Sequence, residues 1–78
     1  MSEYYIDECP ICRQGALIVV KTKDRNAFFV MCDDCESQWE SPEEAIRGAE
    51  PLSDEVGVVD ATLEEIEKQG WIGYIKNL

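Results

Sequence analysis

The four cysteines of this chain fall into two pairs of the form Cys-x-x-Cys. Cys9 and Cys12 form the first pair, and Cys32 and Cys35 follow after nineteen intervening residues. The whole chain has 78 residues, and a chain of this length usually needs a metal ion or disulfide bonds to stay folded. The two pairs are therefore the sequence feature that most constrains the fold.

The spacing of the cysteines predicts a metal site. A two-residue spacer lets both sulfurs of a pair reach one ion, and four thiolates match a closed, tetrahedral zinc site. We therefore predict that one structural Zn²⁺ ion is bound by four ligands: Cys9, Cys12, Cys32 and Cys35. Iron also suits four thiolates, but it is the less favoured metal because the sequence shows no redox architecture. Disulfide bonds need an oxidising compartment, and a redox Cys-x-x-Cys usually opens a helix, so both are disfavoured.

The stretch between the two pairs is typical of a β-hairpin. Residues 16–22 and 27–31 are apolar and rich in β-branched or aromatic side chains, and residues 23–26 between them are polar turn formers. An antiparallel hairpin of this length brings Cys32 back beside Cys12. The sequence thus predicts that the four sulfurs meet at one end of the hairpin.

Shorter elements are predicted on both sides of the hairpin. Residues 36–40 are expected to form a third strand with Trp39 pointing inward, and Gly15 to adopt a positive φ before the first strand. Residues 1–8 are either a short edge strand or a frayed terminus. Strand alternation places Phe28 and Phe29 on opposite faces of the sheet, so one of them needs cover.

Two capping boxes predict helices in the C-terminal half. In the first box, Ser41 is the N-cap, Pro42 follows it and Glu44 completes the box. The helix that it begins is expected to end at Gly48 or Pro51. The second runs over residues 62–65, and its helix is expected to end at Gly70. Residues 50–61 are expected to form a loop whose valines touch the core. Residues 71–75, with Trp71 and Ile75, are expected to dock back as a short helical turn and to cover the exposed phenylalanine.

The pattern Cys9-Pro10-x-Cys12, a hairpin, then Cys32-x-x-Cys35 and a strand resembles the zinc-ribbon class, a neighbour of the rubredoxin-like folds. The resemblance covers about residues 6–41 and implies a three-stranded antiparallel sheet with two zinc knuckles. Arg13 is a departure, because many zinc ribbons have glycine after the second cysteine. The expected fold is a small α+β domain over 1–78, with a zinc ribbon over 6–41 and short helices over 42–78 packed on it.

The charge of the chain restricts its partners. It carries 17 acidic and 7 basic residues, a net charge of −10, which repels phosphate backbones and anionic lipid. The same charge either favours a basic protein as partner or serves solubility alone. The sequence shows neither a secretory signal nor an apolar stretch long enough to span a membrane, so a cytoplasmic location without membrane association is expected. No histidine is present, and four cysteines would close the metal site, so we predict that the protein is not an enzyme.

Four of the seven basic residues lie within residues 13–25. Three of them, Lys21, Lys23 and Arg25, have the alternate spacing that would put them on one face of a hairpin with Arg13 nearby. This cluster allows a nucleic-acid contact, but a solvated strand edge guarded by lysines is the favoured interpretation.

Three functions remain after these exclusions. The first is an adaptor that binds a basic protein through its acidic surface, with zinc holding the scaffold. The second is an inhibitor, for instance an immunity protein against a basic nuclease toxin. The third is a transcription- or translation-associated zinc ribbon that contacts nucleic acid through residues 21–25. The oligomeric state is not determined by the sequence.

Overall fold

A computed structural model of the chain describes residues 4–24, 27–52 and 57–77 and has a small α+β fold. Its four strands form one antiparallel sheet in the order β3-β2-β1-β4. The elements in chain order are β1 (Leu17–Thr22), β2 (Phe28–Cys32), β3 (Gln38–Trp39), α1 (Pro42–Ile46), β4 (Val58–Asp60), α2 (Leu63–Gln69) and a short 3-10 helix (Ile72–Tyr74). The predicted fold class and the first three strands are confirmed, but the predicted number of strands is wrong.

The hairpin of β1 and β2 has the register that the sequence predicts. Leu17 at the start of β1 lies opposite Cys32 at the end of β2. At the other end, the Thr22 N–H donates to the Ala27 carbonyl over 2.8 Å, and the Ala27 N–H donates to Thr22 Oγ1 over 3.0 Å. The second cysteine pair is thereby returned to the start of the hairpin. Arg25, which the sequence places in the turn, lies outside the described residues.

The fourth strand, β4, corrects the expectation of a loop over 50–61. It pairs with β1, with Val58 opposite Thr22 and Asp60 opposite Val20. The pairing satisfies backbone groups along an edge of β1 that would otherwise have no partner strand. The C-terminal half therefore adds a strand to the sheet as well as helices. The expected core contact of Val56 falls outside the described residues.

Residues 6–9 pair with the same edge of β1, closer to its start. The Ile6 N–H donates to the Leu17 carbonyl over 2.7 Å, and the Leu17 N–H donates to the Asp7 carbonyl over 2.8 Å. An isolated bridge joins Glu8 to Ala16. The described residues of the lead-in segment are therefore tied to the edge of β1 without forming a strand of their own. This contact places Cys9 directly beside the hairpin.

The main cluster of buried side chains lies on one face of the sheet, and Ile18 and Val20 of β1 are buried on the other face. Trp39 is fully buried, and its indole Nε1 donates to the Ala49 carbonyl over 2.7 Å, which ties β3 to the chain after α1. Phe28 packs against this core together with Trp71, while Phe29 alternates to the opposite face. The buried members of the core come from all parts of the described chain: Ile6, Cys9, Leu17, Val19, Val30, Cys32, Trp39, Ala45, Ala61, Ile66 and Ile75.

Both helices begin at the predicted N-caps, but of the two predicted capping boxes the one at Ser41 is only half formed. Ser41 Oγ accepts the Glu44 N–H at the start of α1, and Gly48 ends it with φ of 74°. Thr62 and Glu65 form a complete capping box at the start of α2, and Gly70 follows its last turn with φ of 83°. Glycine is suited to this left-handed conformation because it has no Cβ.

Candidate metal centre

Each cysteine pair lies in a tight loop that its own backbone closes. In the first knuckle, residues 9–15, the Arg13 N–H donates to the Cys9 carbonyl over 3.0 Å. In the second knuckle, residues 32–37, the Glu36 N–H donates to the Cys32 carbonyl over 3.2 Å. The knuckles also close at their bases, where the Cys9 N–H reaches the carbonyl of residue 15 over 2.9 Å and the Cys32 N–H reaches that of residue 37 over 2.9 Å.

The residue after the second cysteine of each knuckle has a left-handed backbone. Arg13 has φ of 56° and Glu36 has φ of 63°, and within the described ranges these are the two residues other than glycine with positive φ. A side chain at positive φ is strained because its Cβ crowds the backbone. Many zinc ribbons have glycine at this position, which adopts the left-handed conformation without strain. Arg13 adopts the same conformation with a side chain.

Gly15 has a different role from the expected one. It is not among the residues with positive φ. A Cβ on Gly15 would lie 2.5 Å from Cys32 Sγ and 2.7 Å from Asp34 Cβ. Glycine is needed here because the two knuckles approach each other closely, and the prediction of a positive φ is wrong.

The four sulfurs come together at the end of the hairpin. Cys9 Sγ lies 3.8 Å from Cys35 Sγ, and Cys12 Sγ lies 3.6 Å from Cys32 Sγ. All four lie within 4.8 Å of one another. A tetrahedral ion with Zn–S bonds of about 2.3 Å requires neighbouring sulfurs about 3.8 Å apart. The residues thus fit a four-thiolate metal site of the zinc-ribbon type.

Backbone N–H groups of the knuckles point at two of the sulfurs. The Gly15 N–H lies 3.4 Å from Cys12 Sγ. Cys32 Sγ accepts hydrogen bonds from the Asp34 N–H over 3.4 Å and from the Cys35 N–H over 3.3 Å. Such donors orient a ligand and stabilise its thiolate form.

The environments of Cys12 and Cys32 shift their thiol pKa values in opposite directions. Hydrogen bonds from the backbone of Gln14 and then of Gly15 lower the pKa of Cys12 to about 6. Burial raises the pKa of the Cys32 thiol to about 12. Cys12 is therefore the better thiolate of this pair, while Cys32 depends most on a nearby cation to become ionised.

Asp33 joins the second knuckle to the start of β1. Its Oδ1 accepts the Ala16 N–H over 2.9 Å, and its own N–H donates to the Ala16 carbonyl over 3.0 Å. The sequence pattern did not reveal this bridge. The aspartate type allowed such a local backbone contact, but its partner lies seventeen positions away, so the spacing alone gave no signal.

Lys21 does not lie on the solvated strand face that was predicted for Lys21, Lys23 and Arg25. Lys21 is half-buried and forms an ion pair with Glu65 of α2. It is not on a strand edge either, because Val59 of β4 pairs with it. Arg13 and Lys23 are exposed, and Arg25 lies outside the described residues. The expectation of a lysine-guarded edge is therefore wrong for Lys21.

Comparisons with protein-family models, curated proteins and solved structures give no match for the chain. The class to which it can be assigned thus rests on its own fold and site. These define a small α+β protein with a four-cysteine cluster positioned to bind a metal ion. In the described ranges, no helix combines the length and the apolar content that crossing a bilayer requires.

Proposed function

We propose that the protein is a protein–protein interaction module whose fold is held by one structural Zn²⁺ ion on Cys9, Cys12, Cys32 and Cys35. Zinc is preferred to iron because closed four-cysteine sites of this spacing are typical of structural zinc. Four thiolates fill a tetrahedron and leave no position for water, and the chain has no histidine. We therefore assign the protein no catalytic role, and we propose that it acts in the cytoplasm.

The arrangement of charges around α1 is the observation that carries the proposed interaction. In the part of the chain that the structure describes, three ion pairs neutralise acidic residues elsewhere: Lys21 with Glu65, Lys68 with Glu64 over 3.6 Å, and Lys76 with Asp7 over 3.1 Å. None of these pairs involves the acidic segment, which we define as Glu40, Glu43 and Glu44. Among the described residues, no lysine or arginine forms an ion pair with these three carboxylates.

The acidic segment suits a partner that is itself basic. Glu40 and Glu43 are exposed, and Glu43 is held by a hydrogen bond from the Tyr74 hydroxyl over 3.0 Å. Because the carboxylates of this segment are in no ion pair within the described ranges, a lysine- or arginine-rich surface would gain attraction there and associate faster. By contrast, the Glu64/Glu65 face of α2 already has its carboxylates paired with lysines.

A pull-down with a matched charge control tests this proposal. The zinc-loaded chain is used as bait alongside Glu43→Gln/Glu44→Gln and Glu64→Gln/Glu67→Gln, two variants that lose the same charge on different helices. We expect basic proteins to be retained by the parent chain and by the α2 variant, and to be lost from the α1 variant and at high salt. Retention of the same proteins by the α1 variant would contradict the acidic segment as the binding surface.

The ion pair of Lys21 bears on the nucleic-acid alternative. That alternative requires Lys21, Lys23 and Arg25 to present their charges together, but Glu65 already neutralises Lys21.

An inhibitor of a basic nuclease uses the same electrostatics as the proposed adaptor. It is a special case of the proposal, and a toxin reading frame next to the gene would identify it.

A further inference from the structure

The four sulfurs of the metal centre differ in their access to solvent. Cys9 and Cys32 are fully buried, Cys12 is half-buried, and Cys35 is exposed. The exposed Cys35 and the buried Cys9 are in sulfur–sulfur contact at 3.8 Å, although they belong to different knuckles. A reagent from solvent therefore reaches Cys35 first. Cys9 Sγ is in contact with it, and Cys12 Sγ and Cys32 Sγ lie within 4.8 Å.

We propose that Cys35 is a site of oxidation by a neutral hydroperoxide, with Cys9 as the residue that resolves it into a Cys9–Cys35 disulfide. The proposal concerns the metal centre and does not depend on the identity of any protein partner. Since two of the four thiolates would be consumed, the metal would lose half of its ligands and be released.

The two steps balance as follows. The Cys35 thiolate attacks one oxygen of hydrogen peroxide, the O–O bond breaks, and the departing hydroxide takes a proton to become water. Cys35 is then a sulfenic acid, oxidised by two electrons, and the peroxide is reduced. The Cys9 thiolate attacks the Cys35 sulfur, the S–O bond breaks, and the second hydroxide leaves as water after taking a proton. The sulfurs close from 3.8 Å to a bond of about 2.0 Å.

The charges around Cys35 favour a neutral oxidant. Asp34 and Glu36, the two neighbours of Cys35 in sequence, are exposed acidic residues. Their carboxylates repel an anionic reagent such as an aromatic disulfide carboxylate or glutathione disulfide, but they do not repel hydrogen peroxide. The chemical class that fits the site is therefore a small hydroperoxide without charge.

Peptide mapping of the zinc-loaded, full-length protein tests the pairing directly. One equivalent of hydrogen peroxide is added, free thiols are blocked with N-ethylmaleimide, and the protein is cut with trypsin. Cys9 and Cys12 then lie in the peptide of residues 1–13, and Cys32 and Cys35 lie in that of residues 26–47. A bond within a knuckle leaves these peptides separate, whereas a bond across the knuckles links them. Cleavage before the aspartates then separates Cys32 from Cys35, and fragmentation in the mass spectrometer shows whether Cys9 or Cys12 bears N-ethylmaleimide.

We expect the linked peptides to appear in step with zinc release, with Cys9 bonded to Cys35. A bond within either knuckle, a first bond between Cys12 and Cys32, or retention of zinc with unmodified Cys35 would each overturn the proposal.

A charge-matched pair of variants tests the preference for a neutral oxidant, since both keep all four cysteines. In Asp34→Asn/Glu36→Gln we expect the reaction with the dianion 5,5′-dithiobis(2-nitrobenzoate) to become several-fold faster. The reaction with hydrogen peroxide should change by less than about twofold, because the peroxide has no charge for these carboxylates to repel. Glu64→Gln/Glu67→Gln on α2 should change neither rate. Equal acceleration of both oxidants by the first variant would overturn the assignment of a neutral reagent.

Discussion

Gly15 faces the sulfur of Cys32 so closely that no side chain fits between the two knuckles. The nearest atoms to a Cβ built at this position are Cys32 Sγ at 2.5 Å, Asp34 Cβ at 2.7 Å and Asp33 Oδ1 at 2.9 Å. Contacts this short cannot be relieved by rotating a flexible side chain, because the second knuckle is tied down by its own hydrogen bonds. The distance between the knuckles, and with it the size of the metal site, is therefore set by this glycine.

Replacing Gly15 by alanine should separate the knuckles. We expect Gly15→Ala to destabilise the zinc-loaded protein by about 1–3 kcal/mol, the usual cost of overpacking a closely packed site, and to weaken metal binding at least tenfold. Competition with a zinc chelator and thermal unfolding measure the two effects. Gly73→Ala is the control, because nothing lies within 4 Å of its Cβ position. Equal behaviour of the two variants would show that the close approach of the knuckles is not required.

Replacing the residues at positive φ, Arg13 and Glu36, by glycine should stabilise the protein. Arg13→Gly and Glu36→Gly should each stabilise the zinc-loaded protein by about 0.5–1 kcal/mol, because relief of the strain at positive φ outweighs the greater chain entropy of glycine. Gln14→Gly is the control, since Gln14 is not among the residues with positive φ, and it should be slightly destabilising. Denaturation with urea at fixed free zinc provides the measurement. A loss of stability in Arg13→Gly as large as that in Gln14→Gly would contradict the prediction.

Metal binding should be inseparable from folding. A structural zinc site contributes about 10–16 kcal/mol in small zinc domains, which equals or exceeds the net stability of about 5–15 kcal/mol of a typical domain. We therefore expect Cys32→Ser, or removal of metal by a chelator, to abolish cooperative unfolding as well as bound metal. Ser37→Ala keeps the four thiolates and should retain one metal ion per chain by native mass spectrometry. A Cys32→Ser protein that is fully folded without metal would disprove a structural role for the site.

The ion pair between Lys21 and Glu65 should make stability depend on pH. The hydrogen bond from Lys21 lowers the pKa of the Glu65 carboxyl below its usual value of 4.5. Because the folded protein binds this proton less readily than the unfolded chain, the pair stabilises the fold above pH 4.5. That contribution is lost as the pH falls through the lower pKa of the folded state.

A comparison with a neutral variant isolates this contribution. We expect the difference in unfolding midpoint between the parent protein and Glu65→Gln to be constant near neutral pH and to shrink as the pH falls below 4.5. Metal release at acid pH affects both proteins, so it cancels in the difference. Glu64→Gln, which removes an exposed pair with Lys68, should show a smaller difference at every pH. A difference that grows towards acid pH would contradict the shifted pKa.

Local signals in the sequence are enough to predict most of the metal centre and the helix boundaries. The cysteine spacing, the apolar runs on either side of the turn, and the caps Ser41 and Thr62 each depend on residues within a few positions of one another. The clustering of the four cysteines, the hairpin and the helix starts are confirmed, because the tertiary structure agrees with these local preferences. Binding of a metal ion stays a prediction.

The features that sequence reasoning missed depend on contacts between distant segments. The strand β4 has three residues, of which Val59 and Asp60 are exposed, so its alternation is too short to be recognised. It becomes a strand because β1 offers an unpaired edge. The ion pair of Lys21 has the same origin, since its partner Glu65 is 44 positions away. Gly15 was assigned a local conformational role, although its neighbours come from the other knuckle.

The contacts between Tyr5 and residues 76–77 have a kinetic consequence. The Lys76 N–H donates to the Tyr5 carbonyl over 3.0 Å, and the Tyr5 N–H donates to Asn77 Oδ1 over 3.1 Å, a pairing of residues 72 positions apart. Lys76 also forms an ion pair with Asp7, two residues before Cys9. Closing so large a ring is entropically costly and slow compared with forming the hairpin. We therefore expect the two knuckles to form early in folding and the segment before Cys9 to be anchored last. A chain in which residues 76–77 have not yet bound Tyr5 would then exchange a bound metal ion faster than the fully folded chain.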